Sequence, residues 1–267
     1  MHPRACVSAI STFNLALDED LAFWDRHEIR TVGVSVAKLE RFGWAEGTKL
    51  VADAAAAGLR IANLIGLGPF HLANPASWPK QQERLARSIE TAAAVGAECM
   101  VFTTGPFAPL TWEEAADALD AALTPILSEA ASRGVPFAIE HTNSLRVDVG
   151  FVHTLKDAID LARRFDVGVC MELNACWAER GLADTIRKGA DRIRLVQVSD
   201  FKVGTLRASE RVMIGDGDIP LRRLCAALAD AGYEGWYDIE LLGPAIEAEG
   251  YAAVVPRAVA RFRELWK

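Results

Sequence analysis

The 267-residue chain reads as an α/β protein, a single (β/α)8 barrel spanning residues 1–267. Three observations carry that reading. Short apolar runs alternate with longer stretches whose apolar residues recur at three- and four-residue spacing, from one end to the other. The runs number eight. No Pro- or Ser-rich linker or shift of composition divides the chain, and its length suits one barrel as well as it would two small domains. An open sheet shares the periodicity, so the count of eight and the unbroken composition favour closure.

Taken in order, the strand candidates are Ala5–Ile10, Thr31–Val36, Arg60–Ile65, Cys99–Thr103, Pro136–Glu140, Val167–Glu172, Arg194–Val198 and Trp236–Leu241. Each is largely apolar, as strands covered on both faces must be. Of the helical stretches between them, Trp112–Arg133 is the clearest. Its Trp112, Ala115, Ala116, Leu119, Ala122, Leu123, Ile126 and Leu127 share one face, Thr111 with Glu114 forms a capping-box pattern, and Gly134 stops it. Ala57-Gly58-Leu59, Val95-Gly96-Ala97 and Ala231-Gly232-Tyr233 release the chain from a helix toward a strand in the same way. Asp218 ahead of Ile219-Pro220 is expected to cap the helix that runs through Ala231.

Composition excludes several function classes. With 51% hydrophobic and 24% charged residues the chain is neither disordered nor fibrous. No apolar run approaches the ~20 residues of a membrane span, and residues 1–14 carry no basic start followed by an apolar stretch. The expectation is a cytoplasmic protein without a membrane partner. A formal net charge of −7 weighs against a nucleic-acid partner, which requires clustered Lys and Arg. A small-molecule substrate is expected, in a monomer or a homo-oligomer. Cys6, Cys99, Cys170, Cys176 and Cys225 contain no CxxC pair and read as reduced structural thiols.

Chemistry gathers at the strand ends. Phe137-Ala138-Ile139-Glu140, Val169-Cys170-Met171-Glu172, Leu195-Val196-Gln197 with Asp200 beyond, and Trp236-Tyr237-Asp238-Ile239-Glu240 each run through apolar residues into a polar or acidic side chain. A carboxylate ending a buried strand is costly unless a cation, a proton or a partner meets it. In a parallel barrel these ends converge on one face. Three carboxylates brought together repel one another unless a divalent cation neutralises them, and Gln197 adds an amide oxygen. The all-oxygen set Glu140, Glu172, Gln197 and Glu240 favours Mn or Mg over Zn or Co. The alternative for any single glutamate is an arginine partner, with Arg146, Arg207 and Arg211 available.

These residues resemble the sugar phosphate isomerase/epimerase family of xylose-isomerase-like TIM barrels, which includes tagatose 3-epimerase, hydroxypyruvate isomerase and inosose dehydratase, with endonuclease IV a distant relative. The resemblance runs from about Ala5 to Phe262. It implies a metal held by a Glu ending strand five, an Asp ending strand six, a His in strand seven and a Glu ending strand eight. Glu140 and Glu240 match the first and last positions. Glu172 stands for the aspartate, Gln197 for the histidine in Gln197-Val198-Ser199-Asp200, and Ala175 where a further histidine is often found. Asn174 and Glu179 are the nearby polar residues that could compensate. The segment Ile214-Gly215-Asp216-Gly217-Asp218-Ile219-Pro220 resembles the family's Gly-x-Gly-Asp-x-Pro phrase.

By that resemblance Glu140 and Glu240 face the substrate from opposite sides, one removing a proton next to a carbonyl and the other returning it. The expected activity is a metal-assisted isomerase or epimerase of a sugar-like or cyclic hydroxy-carbonyl compound, working through an enediolate. The same site serves a lyase or dehydratase if a leaving group sits beta to the reacting carbon. The substitutions at 172, 175 and 197 keep a metal-free or non-catalytic binding barrel as the third reading, and the acidic balance disfavours a DNA-repair endonuclease.

Asp200, Arg211, Trp177, Asn174 and Arg146 are the candidate substrate contacts. Lys38, Lys202 and Arg207 are further loop cations at the same end, each either a solvated charge or an anion contact. Phe13, Trp44, Phe70, Phe107, Trp112 and Trp177 follow strand ends, where they either cap the barrel or line a pocket for an apolar or ring-bearing substrate. Of the histidines, His2 is terminal, His27 closes a helix, His71 lies in a loop, His153 opens a helix, and His141 turns away from Glu140 by alternation. Nothing in that set supports a Ser–His–Asp or Cys–His nucleophile.

Overall fold

The computed structural model describes residues 4–266; His2 lies outside them. Eight strands, β1 (Arg4–Ser8), β2 (Thr31–Ser35), β3 (Arg60–Leu67), β4 (Met100–Thr103), β5 (Phe137–Glu140), β6 (Gly168–Glu172), β7 (Ile193–Val198) and β8 (Trp236–Ile239), follow one another with helices between. Every neighbouring pair is parallel, and β8 closes on β1 in the register Arg4↔Trp236 to Val7↔Ile239. Closure leaves no strand edge exposed, which a sheet of this length would otherwise have to protect.

Strand alternation sorts the side chains into two cores. Val34, Phe102, Ile139, Met171, Val196 and Ile239 face outward into one large cluster with helix residues such as Leu39, Leu119, Leu123, Ile159 and Phe262. Ile65, Cys99, Val101, Ala138, Cys170 and Leu195 face inward and fill the lower bore. Stacked layers of small and branched residues make the bore a packed core rather than a channel. All five cysteines are buried free thiols, in keeping with a structural role.

The strand ends differ from the sequence reading by a few residues, for local reasons. β1 stops at Ser8 because the Ser8 hydroxyl accepts the Ile10 N–H and starts a 3-10 turn over Ala9–Thr12, so Ile10 leaves the strand. The helix after β4 spans Trp112–Ser132, opened by the capping box in which Thr111 Oγ1 accepts from Glu114 N and Glu114 Oε2 accepts from Thr111 N. The helix Leu221–Asp230 has Pro220 at its start and no side-chain cap. Asp218 does not cap it: its carboxylate accepts the Val203 N–H and pairs with Lys202 across the loop. His27 closes the helix Leu17–Arg26, and His153 stands just ahead of Thr154, which caps Leu155–Phe165. Among the described residues no helix is long and apolar enough to cross a membrane.

Lys38 corrects another expectation. It sits in the helix Val36–Phe42 and is buried, its ammonium donating to Asp20 Oδ2 at 2.7 Å, Thr12 O at 2.8 Å and Ala9 O at 3.1 Å. The short helix directs it under the β1 turn instead of into solvent at the mouth. Thr12 Oγ1 completes the cluster by donating to Asp20 Oδ1 at 2.6 Å. A buried pair of this kind is costly to break from one side, because the remaining charge loses its partner. Lys38→Met is expected to lower unfolding free energy by about 3–5 kcal/mol, read from urea denaturation of the two proteins.

Candidate active site

Inward alternation carries the polar residues to the C-terminal end of the bore. On β8, Tyr237 and Ile239 face the helices while Asp238 faces inward, and Glu240 follows one step above it. The ladders set Glu140 beside Cys170, Glu172 beside Gln197, and Gln197 beside Asp238. Beyond the last β8 ladder pair, the Glu240 N–H donates to Val198 O at 3.0 Å, which continues the β7–β8 spacing. Gln197 reaches up from its own level: its Nε2 donates to Glu240 Oε2 at 2.9 Å.

Among the described residues one buried cation faces these acids. Arg211, on the segment that returns from β7, is buried, with Nη2 at 3.7 Å from Glu172 Oε2 and 3.8 Å from Glu240 Oε1. Its backbone N–H donates to Leu242 O, which anchors that segment to the end of β8. Of the arginine partners considered for the glutamates, Arg211 is therefore the one engaged; Arg146 pairs with Asp148, and Arg207 with Glu210. Both are surface pairs on loops.

A single guanidinium does not balance the carboxyls. Burial, then repulsion from Glu172, pushes the Glu140 carboxyl above its ordinary range, against the pull of Arg211 and a Gln197 hydrogen bond. Glu240 is also raised well above its ordinary range, by burial and then by Glu172 and Glu140. Both are held toward the protonated form.

Glu172 behaves differently from the expected ligand. Its Oε1 accepts from Asn174 N at 2.9 Å and from Ser199 Oγ at 3.3 Å, and its Oε2 faces Arg211. The extra methylene relative to aspartate lets the side chain fold over its own helix start, so it serves as an internal partner of Arg211. Glu179 is likewise occupied, accepting the Leu155 N–H at 2.8 Å.

A metal's fit can be tested on the remaining donors. Among the described residues no three His, Cys, Asp or Glu side chains are gathered closely enough to hold a metal by themselves. Gln197 Oε1, however, is buried with no hydrogen-bond partner, and the Gln197 side chain lies against both Glu140 and Glu240. These three give an all-oxygen donor set, which suits a hard divalent cation.

Three candidate substrate contacts find different places. Asp200 is buried and its carboxylate is taken up by backbone: Oδ1 accepts from Phe201 N and Ile219 N, Oδ2 from Gly215 N and Gly217 N. It shapes the Gly215-Asp216-Gly217 loop and has no oxygen left for a substrate, which corrects its expected role. Gly217 is required there, since a Cβ would collide with the Asp200 carboxylate. Trp177 ends the short helix Leu173–Cys176 and packs half-buried against the outer core. Asn174 is buried with both amide atoms unpaired, as are Arg211 Nε and Nη1. Phe70 joins the core, and Phe107 and Trp112 pack on Phe151, so these rings cap the barrel; Phe13 stays 47% exposed.

One buried acid escaped the sequence reading. Asp238 lies one layer beneath Glu240, accepting from Cys6 Sγ at 3.1 Å and Asn63 Nδ2 at 3.2 Å, and burial pushes its carboxyl to about 7. The signal was its two-residue spacing from Glu240, which puts both on one face. His141 does turn away from Glu140: its Nε2 accepts the Glu172 N–H at 3.2 Å, and burial, with His153 nearby, holds the ring neutral by lowering it to about 3.

Residues 21–262 match a family model described as the xylose isomerase-like TIM barrel. The chain belongs to that family. No curated protein matches its sequence, whereas solved structures match over nearly its full length. The IolI protein, solved with a bound zinc atom, is 17% identical, with 98% of this chain and 97% of that one covered and a TM-score of 0.84. A xylose isomerase domain protein from Alicyclobacillus acidocaldarius subsp. acidocaldarius is 19% identical, with 98% and 97% covered and a TM-score of 0.81. A D-tagatose 3-epimerase-like protein is 15% identical, with 99% and 100% covered and a TM-score of 0.77. At these identities the likeness is one of fold.

The layer under the site has a measurable consequence. A carboxyl raised from 3.8 to about 7 binds its proton more tightly folded than unfolded, so its contribution to stability declines as pH rises through that window. Asp238→Asn removes that dependence. Thermal unfolding across the window is expected to show wild type losing more stability toward neutral pH than the variant, with the difference absent below pH 3.8.

Proposed function

We propose that this xylose isomerase-like barrel is a metal-assisted isomerase or epimerase of a sugar-like or cyclic hydroxy-carbonyl compound. The observation that carries it is the pair Glu140 and Glu240, which stand at the ends of β5 and beyond β8 in one bore and both hold their protons more tightly than free glutamates. Two carboxyls of that kind form an acid–base pair: one, in its ionised form, takes a proton from the carbon beside a carbonyl, and the other, in its protonated form, supplies one. Their positions on the barrel allow the exchange to occur on opposite sides of a bound substrate.

Glu140, Gln197 Oε1 and Glu240 would hold a divalent cation, Mn or Mg by their oxygen character, and such a cation supplies charge stabilisation to an enediolate oxygen. Arg211 contributes the same sign of charge from the chain itself. Its unpaired Nε and Nη1, with the unpaired Asn174 amide, are the buried donors suited to substrate oxygens. Gln197 fixes Glu240 through Nε2 while its Oε1 remains available. Arg146, on the loop after β5, sits close enough to Glu140 to feel its charge and is the outer cation for the same substrate.

The test uses purified protein with Mn, candidate ketoses and deuterated solvent. Deuterium is expected at the carbon beside the carbonyl, and Glu140→Gln or Glu240→Gln is expected to lower the exchange rate by ~10²–10⁴-fold. A conjugated enone absorbance in place of deuterated ketose assigns elimination instead. Retained ligand binding with no turnover in wild type, unaffected by either variant, identifies a binding barrel.

A further inference from the structure

The β1–β8 ladder ends at Val7↔Ile239, one residue short of Glu240, so main-chain pairing does not hold that side of the glutamate. A serine hydroxyl does. Ser11, in the turn Ala9–Thr12, is fully buried; its Oγ donates to Ile239 O at 2.8 Å and accepts from Leu241 N at 2.9 Å. One side chain thus grips the peptide groups on both flanks of Glu240. On the other side the Glu240 N–H is held by Val198 O.

The turn that presents Ser11 is itself fixed. Lys38 donates to the carbonyls of Ala9 and Thr12, which bracket Ser11, and is tied to Asp20, which also receives Thr12 Oγ1. A lone surface turn would let the hydroxyl rotate or withdraw. A buried ammonium bridging both ends of the turn keeps Oγ aimed at β8, at the cost of desolvating an ion pair.

We infer that Ser11 is the positioning residue for Glu240, with Lys38 and Asp20 holding Ser11 in place. The inference rests on the reading of Glu240 as a site carboxyl. Ser11 touches no reacting atom; it sets where the Glu240 backbone stands, and through it the reach of Oε2 to Gln197 and of the carboxyl to a cation. Residues that orient ligands in this way typically account for ~10–100-fold in metal affinity.

The experiment compares wild type with Ser11→Ala, Ser11→Thr, and Thr91→Ala, which deletes a buried hydroxyl that pairs with Thr48 between two outer helices. Mn affinity is read by electron paramagnetic resonance and the Glu240 position by crystallography. Ser11→Ala is expected to weaken Mn binding ~10-fold or more and to lose the Gln197 Nε2 to Glu240 Oε2 bond. Ser11→Thr, which keeps a hydroxyl, is expected to recover most of the affinity. Thr91→Ala is expected to lose thermal stability and keep the affinity. Ser11→Ala that binds Mn as wild type does, with Glu240 unmoved, overturns the inference. Should wild type bind no Mn, the metal reading fails by itself, and the crystallographic position of Glu240 in Ser11→Ala decides the clamp: a shift supports it and an unmoved carboxylate overturns it.

Discussion

The mouth of this barrel is governed by the burial of more carboxyl groups than there are cations beside them among the described residues. Glu140, Glu172, Glu240 and Asp238 share one end of the bore, and Arg211 pairs with Glu172 and Glu240. The chain resolves the conflict unequally. Glu172 receives the Asn174 and Ser199 hydrogen bonds and shares Arg211 with Glu240, while burial and repulsion from neighbouring acids raise the Glu140 and Glu240 carboxyls above their ordinary range. The unequal division leaves Glu140 and Glu240 as the carboxyls displaced from the ordinary glutamate range.

Much of the architecture was legible because barrel folding is written in periodicity. Eight apolar runs and the glycine punctuation after helices gave strands within a few residues of those observed, and the Thr111 and Glu114 capping box was found where the pattern put it. Strand-end glutamates were legible for a related reason: an acid closing an apolar run has few structural explanations. What the sequence did not disclose depends on contacts across long separations. Ser11 meets β8 at a distance of more than two hundred residues, and Cys6 meets Asp238 at 232.

Asp200 and Lys38 show why loop charges are poorly read from position alone. Both lie just past a strand end, where a barrel keeps its chemistry, and both are consumed by backbone groups that the fold would otherwise leave unpaired. A carboxylate meeting four N–H groups organises a glycine loop, and an ammonium meeting two carbonyls organises a turn. Irregular backbone buried near a site needs partners, and short-range charged side chains supply them.

Gln197 joins these two themes. At the position where the family resemblance led to an imidazole, a primary amide offers two faces: Nε2 as a donor to Glu240, and Oε1 buried without a partner. An imidazole with its remaining N–H tied to a carboxylate would do similar work, but its free nitrogen is a softer donor than an amide oxygen. The replacement therefore keeps the orientation of Glu240 and shifts the donor character toward oxygen. Glu172 and Glu240 share Arg211, and Gln197 stands against Glu240, so the arrangement at this end of the bore depends on how firmly Glu240 is held.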